Sequence, residues 1–108
     1  MKNLSNDVLE MVAQQFRVLA EPVRLQILQC VGNEERAVGE IVERIKASQP
    51  NVSKHLKVMQ EAGILIRRQE KNSAFYRVAD PSIFDMCDMV CSALKERTEN
   101  RVKVLALL

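Results

Sequence analysis

The sequence predicts a mainly α-helical fold with one β-hairpin, its elements running α-α-α-α-β-β-α, and three observations predict it. Apolar residues recur at helical spacing in five separate stretches of the 108 residues. The three prolines, Pro22, Pro50 and Pro81, each stand at the start of one of those stretches, where the missing backbone N–H costs nothing. Between the fourth and fifth stretches, residues 64–68 and 75–78 form two β-rich runs around a polar tip over 69–73.

Taken in order, the first helix spans about 6–19 and is capped by Ser5 or Asn6. Its stripe is Val8, Val12, Phe16 and Leu19, widened by Leu9 and Met11. The second helix opens at Glu21-Pro22 and runs to Val31, with Val23, Ile27, Leu28 and Val31 inward and Gly32 placed to end it. A polar turn over 33–36 leads into a short third helix over about 38–46 that carries Ile41, Val42 and Ile45 inward. Ser48 caps a fourth helix that reaches Ala62, with Gly63 just beyond it. Val52, Leu56 and Met59, at i, i+4 and i+7, commit one of its faces to the core. After the hairpin, Asp80 caps and Pro81 opens a last helix whose stripe is Ile83, Met86, Cys87, Val90, Cys91 and Leu94. The tail beyond it is apolar through Val102, Val104, Leu105, Leu107 and Leu108, which suggests packing on a second subunit. A short helix, a turn, a capped helix and then a basic hairpin make a winged helix-turn-helix.

Length and composition fit this reading. At 108 residues the chain is expected to be one domain, 1–108, and 47% apolar residues exclude disorder. Residues 1–9 are polar with Lys2 as their only cation, unlike a secretory leader, and no apolar run approaches the ~20 residues needed to cross a bilayer. The expected location is the cytoplasm, with no membrane partner. Charge is unevenly spread. Residues 46–77 hold seven Lys/Arg against two Asp/Glu, a net +5, while 1–45 carry −2 and 78–108 carry −1. Positive charge confined to the middle third is the electrostatic footprint of a nucleic-acid partner. An enzyme is disfavoured, because there is one histidine and no glycine-rich phosphate loop.

A helix-turn-helix sets the start of its second helix against base edges in the major groove. Its outward positions here are Ser48, Gln49, Asn51, Ser53, Lys54 and Lys57, with His55 close by. Gln and Asn pair with adenine, and Ser and Lys serve bases or phosphates. Arg68, Lys71 and Asn72 are the candidate contacts from the wing, with Arg67 and Arg77 either on a cross-strand face or on DNA.

Two segments resemble the ArsR/SmtB family of winged helix-turn-helix repressors. Leu19-Ala20-Glu21-Pro22-Val23-Arg24-Leu25-Gln26-Ile27-Leu28 is similar to the family's opening motif. Ser48-Gln49-Pro50-Asn51-Val52-Ser53-Lys54-His55-Leu56-Lys57-Val58-Met59 is similar to its recognition helix. Ala62-Gly63-Ile64-Leu65 and Phe75-Tyr76-Arg77-Val78 follow in order, so the resemblance covers about residues 12–95. It implies a homodimer built from the first and last helices, bound to an inverted-repeat DNA operator and released by an inducer.

The family's known sensing sites are not all present. Residues 39–43 hold no cysteine pair, and the zinc pattern of the last helix meets Cys87, Thr98 and Arg101 where its ligands belong after Asp85. Cys30 stands one residue past the position used by thiol switches for persulfides or oxidants, and one residue turns a side chain by about 100°. Cys87 and Cys91, at i, i+4, offer two soft ligands to As(III), Sb(III) or another thiophilic inducer, with Cys30 as a third. A depressed thiol pKa is expected at such a site. Both cysteines also lie in the apolar stripe, where free cysteine packs as a small hydrophobe. Metalloid sensing, a thiol switch through Cys30 and an inducer-free regulator with packed cysteines all stay open.

Overall fold

Each helix begins and ends where side chains supply or withhold hydrogen bonds. The computed structural model describes residues 1–107. In it α1 (Asn6–Leu19) is capped by Ser5, whose Oγ accepts from the Val8 N–H. Then α2 (Pro22–Val31) opens on its proline and ends at Gly32. The short α3 (Val38–Ile45) and the longer α4 (Gln49–Glu61) follow. Two backbone bonds close α4, from the Gly63 N–H to the Gln60 carbonyl and from the Ile64 N–H to the Met59 carbonyl. That pairing turns the chain through a left-handed residue, and Gly63 takes it with a φ of 78°.

Three strands, β1 (Arg36–Ala37), β2 (Leu65–Glu70) and β3 (Ser73–Val78), form an antiparallel sheet in the order β1-β3-β2. The hairpin expected from the sequence is β2 and β3, registered from Leu65 opposite Val78 to Glu70 opposite Ser73. The strand β1 was not legible: residues 33–36 read as a turn, yet Arg36 pairs with Tyr76 and Ala37 with Phe75. A two-residue strand has no periodicity of its own, so only its partner defines it.

The last helix, α5 (Ser82–Ala106), starts one residue later than expected. Pro81 has no N–H to satisfy, so the first donor in need of a partner belongs to Ser82, and Asp80 Oδ1 accepts it at 3.0 Å. The carboxylate of Asp80 is held below its ordinary pKa by these bonds to Ser82.

The core lies where α2, α3 and α4 meet the sheet. Ile27, Val31, Ile41, Val52, Leu56 and Met59 are fully enclosed, and Leu65, Tyr76 and Val78 close the cluster from the sheet. The inward residues expected for α4 are therefore the ones buried. The long stripes of α1 and α5 behave differently. On α1 only Val18 and Leu19 are buried, while Phe16 stays 55% exposed. On α5, Ile83, Phe84 and Met86 lean on the core, and every residue from 88 to 107 is exposed. The apolar residues of the tail, Val102, Val104, Leu105 and Leu107, are uncovered, and Leu108 lies outside the described residues. None of the described helices is long and apolar enough to cross a membrane.

Candidate nucleic-acid interface

The turn between α3 and α4 sets the site. It is three residues long, and Lys46 takes a left-handed φ of 59° to end α3, while its N–H bonds to the Val42 carbonyl. Ser48 then starts α4, its Oγ accepting from the Asn51 N–H. Because Val52, Leu56 and Met59 are anchored inside, rotation by about 100° per residue turns Gln49, Asn51, Ser53, Lys54 and Lys57 to the surface, and all five are exposed together with Ser48. Among the described residues neither Lys54, Lys57 nor Lys71 enters an ion pair, so these charges are available to an anionic partner.

His55 departs from the expected contact set. Only 7% of it is exposed, and its Nδ1 accepts a hydrogen bond from Arg24 Nε at 3.0 Å. Arg24 in turn donates from Nη1 to the Val18 carbonyl. His55 thus ties α4 to α2 and to the end of α1. It lies three residues after Val52 and one before Leu56, on the buried side of the helix. Burial holds its pKa below the ordinary value, helped by the charges of Arg24 and Lys54 and opposed by Glu21.

The wing separates its cations by face. Side chains alternate along a strand, so Leu65, Arg67 and Gln69 share the face toward α4, and Ile66, Arg68 and Glu70 share the other. Arg67 and Gln69 join Gln49, Ser53, Asn72 and Ser73 around a cleft of about 470 Å3 between the wing and the start of α4. Arg67 Nη2 donates to Gln69 Oε1, and Gln69 Nε2 donates to the Lys71 carbonyl at the tip. The tip itself is Lys71-Asn72, with Lys71 in a left-handed conformation, φ 53°.

Arg68 also departs from the expected set. Its guanidinium grips the Glu35 carboxylate through Nε and Nη2, the shortest contact being 2.6 Å, and reaches Glu70 through Nη1 at 2.8 Å. It lies over the Phe75 ring, 4.7 Å from the centroid. Glu35 is held below the ordinary carboxylate pKa chiefly by its hydrogen bonds to Arg68, and the same pairing raises the pKa of Arg68. With this charge committed to two carboxylates, the cation of β2 that opens on the cleft is Arg67. Period-two alternation counted from the apolar Leu65 was the signal that distinguishes the two arginines. Arg77, opposite Ile66, lies on the Arg68 face, so Arg67 and Arg77 do not form one cross-strand face.

The cysteines sit elsewhere. Cys30 is half-buried against the core, Cys87 is half-buried on α5 and Cys91 is exposed one turn later. Burial pushes the Cys87 thiol up, as do Cys91 and Asp88 beside it, which is opposite in sign to the depressed pKa expected of a poised ligand. Among the described residues no three His, Cys, Asp or Glu side chains gather as a metal site, so one chain does not bring Cys30 to the α5 pair.

Comparison with known proteins agrees with this geometry. A family described as "Helix-turn-helix domain" matches residues 19–68. The HTH-type transcriptional regulator MJ1325 of Methanocaldococcus jannaschii, itself uncharacterized, is 32% identical over 75% of this chain and 92% of its own length. The HTH-type transcriptional repressor SmtB of Mycobacterium tuberculosis is 34% identical over 68% of this chain and 55% of its own. Among solved structures, that of M. tuberculosis Rv0081 superposes with a TM-score of 0.80 at 28% identity, covering 91% of this chain and 99% of the other. The homodimeric winged helix-turn-helix DNA-binding domain of Mb0332 from Mycobacterium bovis, a possible ArsR-family regulator, gives 0.76 at 27% identity, covering 93% and 95%.

Proposed function

The chain belongs to the helix-turn-helix transcriptional regulators of the ArsR/SmtB type, a DNA-binding regulator and not an enzyme, and we propose that it acts as a homodimeric repressor on an inverted-repeat operator. One observation carries the reading: Gln49 and Ser53, from the exposed, acid-free start of α4, and Arg67 and Asn72 of the wing open on one cleft. In this arrangement Gln49, Asn51 and Ser53 read base edges, Lys54, Lys57 and Ser48 hold phosphates, and Lys71 and Asn72 carry the wing onto the backbone. The homodimeric state of the Mb0332 domain supports pairing through the uncovered faces of α1 and α5.

Fluorescence anisotropy on a duplex from the protein's own upstream region tests this. Lys54→Ala and Lys71→Ala are expected to weaken binding and each lower the salt slope by about one unit. Gln49→Ala and Ser53→Ala are expected to change sequence preference. Unchanged binding by all four variants refutes the assignment.

The release signal is a second part of the proposal. A thiophilic inducer such as As(III) or Sb(III) would be read at Cys87 and Cys91 ahead of Cys30, because Cys91 is open and Cys30 packs on the core. Release by arsenite that Cys87→Ser/Cys91→Ser abolishes supports this. Release by polysulfide alone moves the signal to a thiol switch, and indifference to both leaves a regulator with packed cysteines.

A further inference from the structure

Arg68 spans the sheet. It rises from β2, crosses β3 over the ring of Phe75, its register partner, and ends on Glu35, immediately before β1. With neighbouring strands about 4.8 Å apart, that is roughly 10 Å from one edge of the sheet to the other. The backbone provides nothing comparable for β2. In the order β1-β3-β2 this strand is an edge that never touches β1, and β1 itself is only two residues long. Of β2 only Leu65 is buried, and Ile66 to Glu70, Arg68 included, are exposed. The body therefore grips the outer half of the wing through β3 and through this side chain.

From this we infer that Glu35 is a positioning residue for DNA binding. It acts through Arg68: the pair braces the back of the wing and sets the angle at which Arg67, on the opposite face, overhangs the cleft beside Gln49 and Ser53. The fork of Arg68 suits the task, because a guanidinium held at both sides by Glu35 and Glu70 is fixed in direction as well as position. Glu35 and Glu70 also cancel the charge of Arg68, so the back face offers little to phosphate. Arg67 is oriented by a neutral partner, Gln69, and keeps its charge for the cleft. The two adjacent arginines thus divide the work, one as DNA cation and one as brace.

The inference rests on the DNA-binding reading above, and its test separates the two. Binding to the upstream duplex is measured by anisotropy across a salt series for the wild type, Arg67→Ala, Arg68→Ala, Glu35→Gln and the double variant Glu35→Gln/Arg68→Ala. Arg67→Ala is expected to lower the salt slope by about one unit. Glu35→Gln and Arg68→Ala are each expected to raise Kd about three- to tenfold with the slope unchanged, and the double variant to cost no more than either single one. Arg68→Lys keeps the charge and loses the fork, so it is expected to behave as Arg68→Ala, which keeps the test valid should the alanine variant fold poorly. A lowered slope for Arg68→Ala, or tighter binding by Glu35→Gln, overturns the inference and makes Arg68 a DNA cation that Glu35 restrains. A wild type without salt-dependent binding overturns the DNA-binding reading, and the brace with it.

Discussion

At the scale of single residues, charge and conformation decide roles that residue type leaves open. His55 is buried and neutral, with Nδ1 accepting from Arg24. Protonation at Nδ1 removes that acceptor and sets a cation against Arg24 and Lys54. Its folded pKa is depressed, so the unfolded chain takes up the proton first, near 6.5. The stabilisation is present above that pH and is lost as pH falls through the folded value. Glu35 and Asp80 are also depressed, but their window lies below about 4.5. Thermal melts between pH 7.5 and 5 are therefore expected to fall more steeply for the wild type than for His55→Gln. Parallel curves refute the pairing. Lys71 illustrates conformation. It occupies a left-handed φ that glycine adopts at no steric cost, so Lys71→Gly is expected to leave stability equal or raise it by up to about 1 kcal/mol while weakening DNA binding. Urea melts and anisotropy on the same sample check that opposition.

At the scale of elements, the recognition helix works because it is anchored along its length. Leu56 is fully enclosed among α2, α3 and the sheet, and Leu56→Ala is expected to cost about 2–5 kcal/mol. Against a typical stability of about 5–15 kcal/mol, that is a large share. At its start, Ser48→Ala removes the acceptor for the Asn51 N–H and is expected to cost about 1 kcal/mol in chemical denaturation. At its end, Gln15 Nε2 of α1 donates to the Ala62 carbonyl at 3.1 Å, so the far end of α4 is held by a helix of the uncovered face.

At the scale of the whole molecule, the chain is extended for its length. Its radius of gyration is 17.2 Å, against about 13 Å for a compact domain of this length. The excess comes from α5, 25 residues and so about 37 Å long, most of it uncovered. Phe16 and Leu94, each more than half exposed, mark the face that a second copy would bury. Phe16→Glu/Leu94→Glu is expected to convert a dimer to a monomer by light scattering. It is also expected to cost at least tenfold in affinity for a two-half-site operator, since the linked second contact is lost. A wild type that is monomeric at micromolar concentration refutes the dimer.

The sequence by itself determined the elements and their order, the two-residue β1 excepted. Val52, Leu56 and Met59 at helical spacing, Ser48 and Gly63 at the two ends of α4, and the β-rich runs around Lys71-Asn72 are local signals, and local hydrogen bonding and periodicity suffice to read them. The basic middle third likewise pointed to DNA before any fold was known. What tertiary structure alone decided are relations between residues far apart in the chain. Arg24 meets His55, Glu35 meets Arg68 and Gln15 meets Ala62, and each pairing depends on how helices and strands stack. Those contacts bury His55 against Arg24 and pair Arg68 with Glu35, while Arg67 lines the cleft beside Gln49 and Ser53. Among the described residues, the stripes of α1 and α5, correctly read as apolar, are covered only in part: Leu19, Ile83 and Met86 reach the core, while Phe16, Val90 and Leu94 stay exposed. Periodicity reveals that a face is apolar, but what covers it depends on the packing of whole elements.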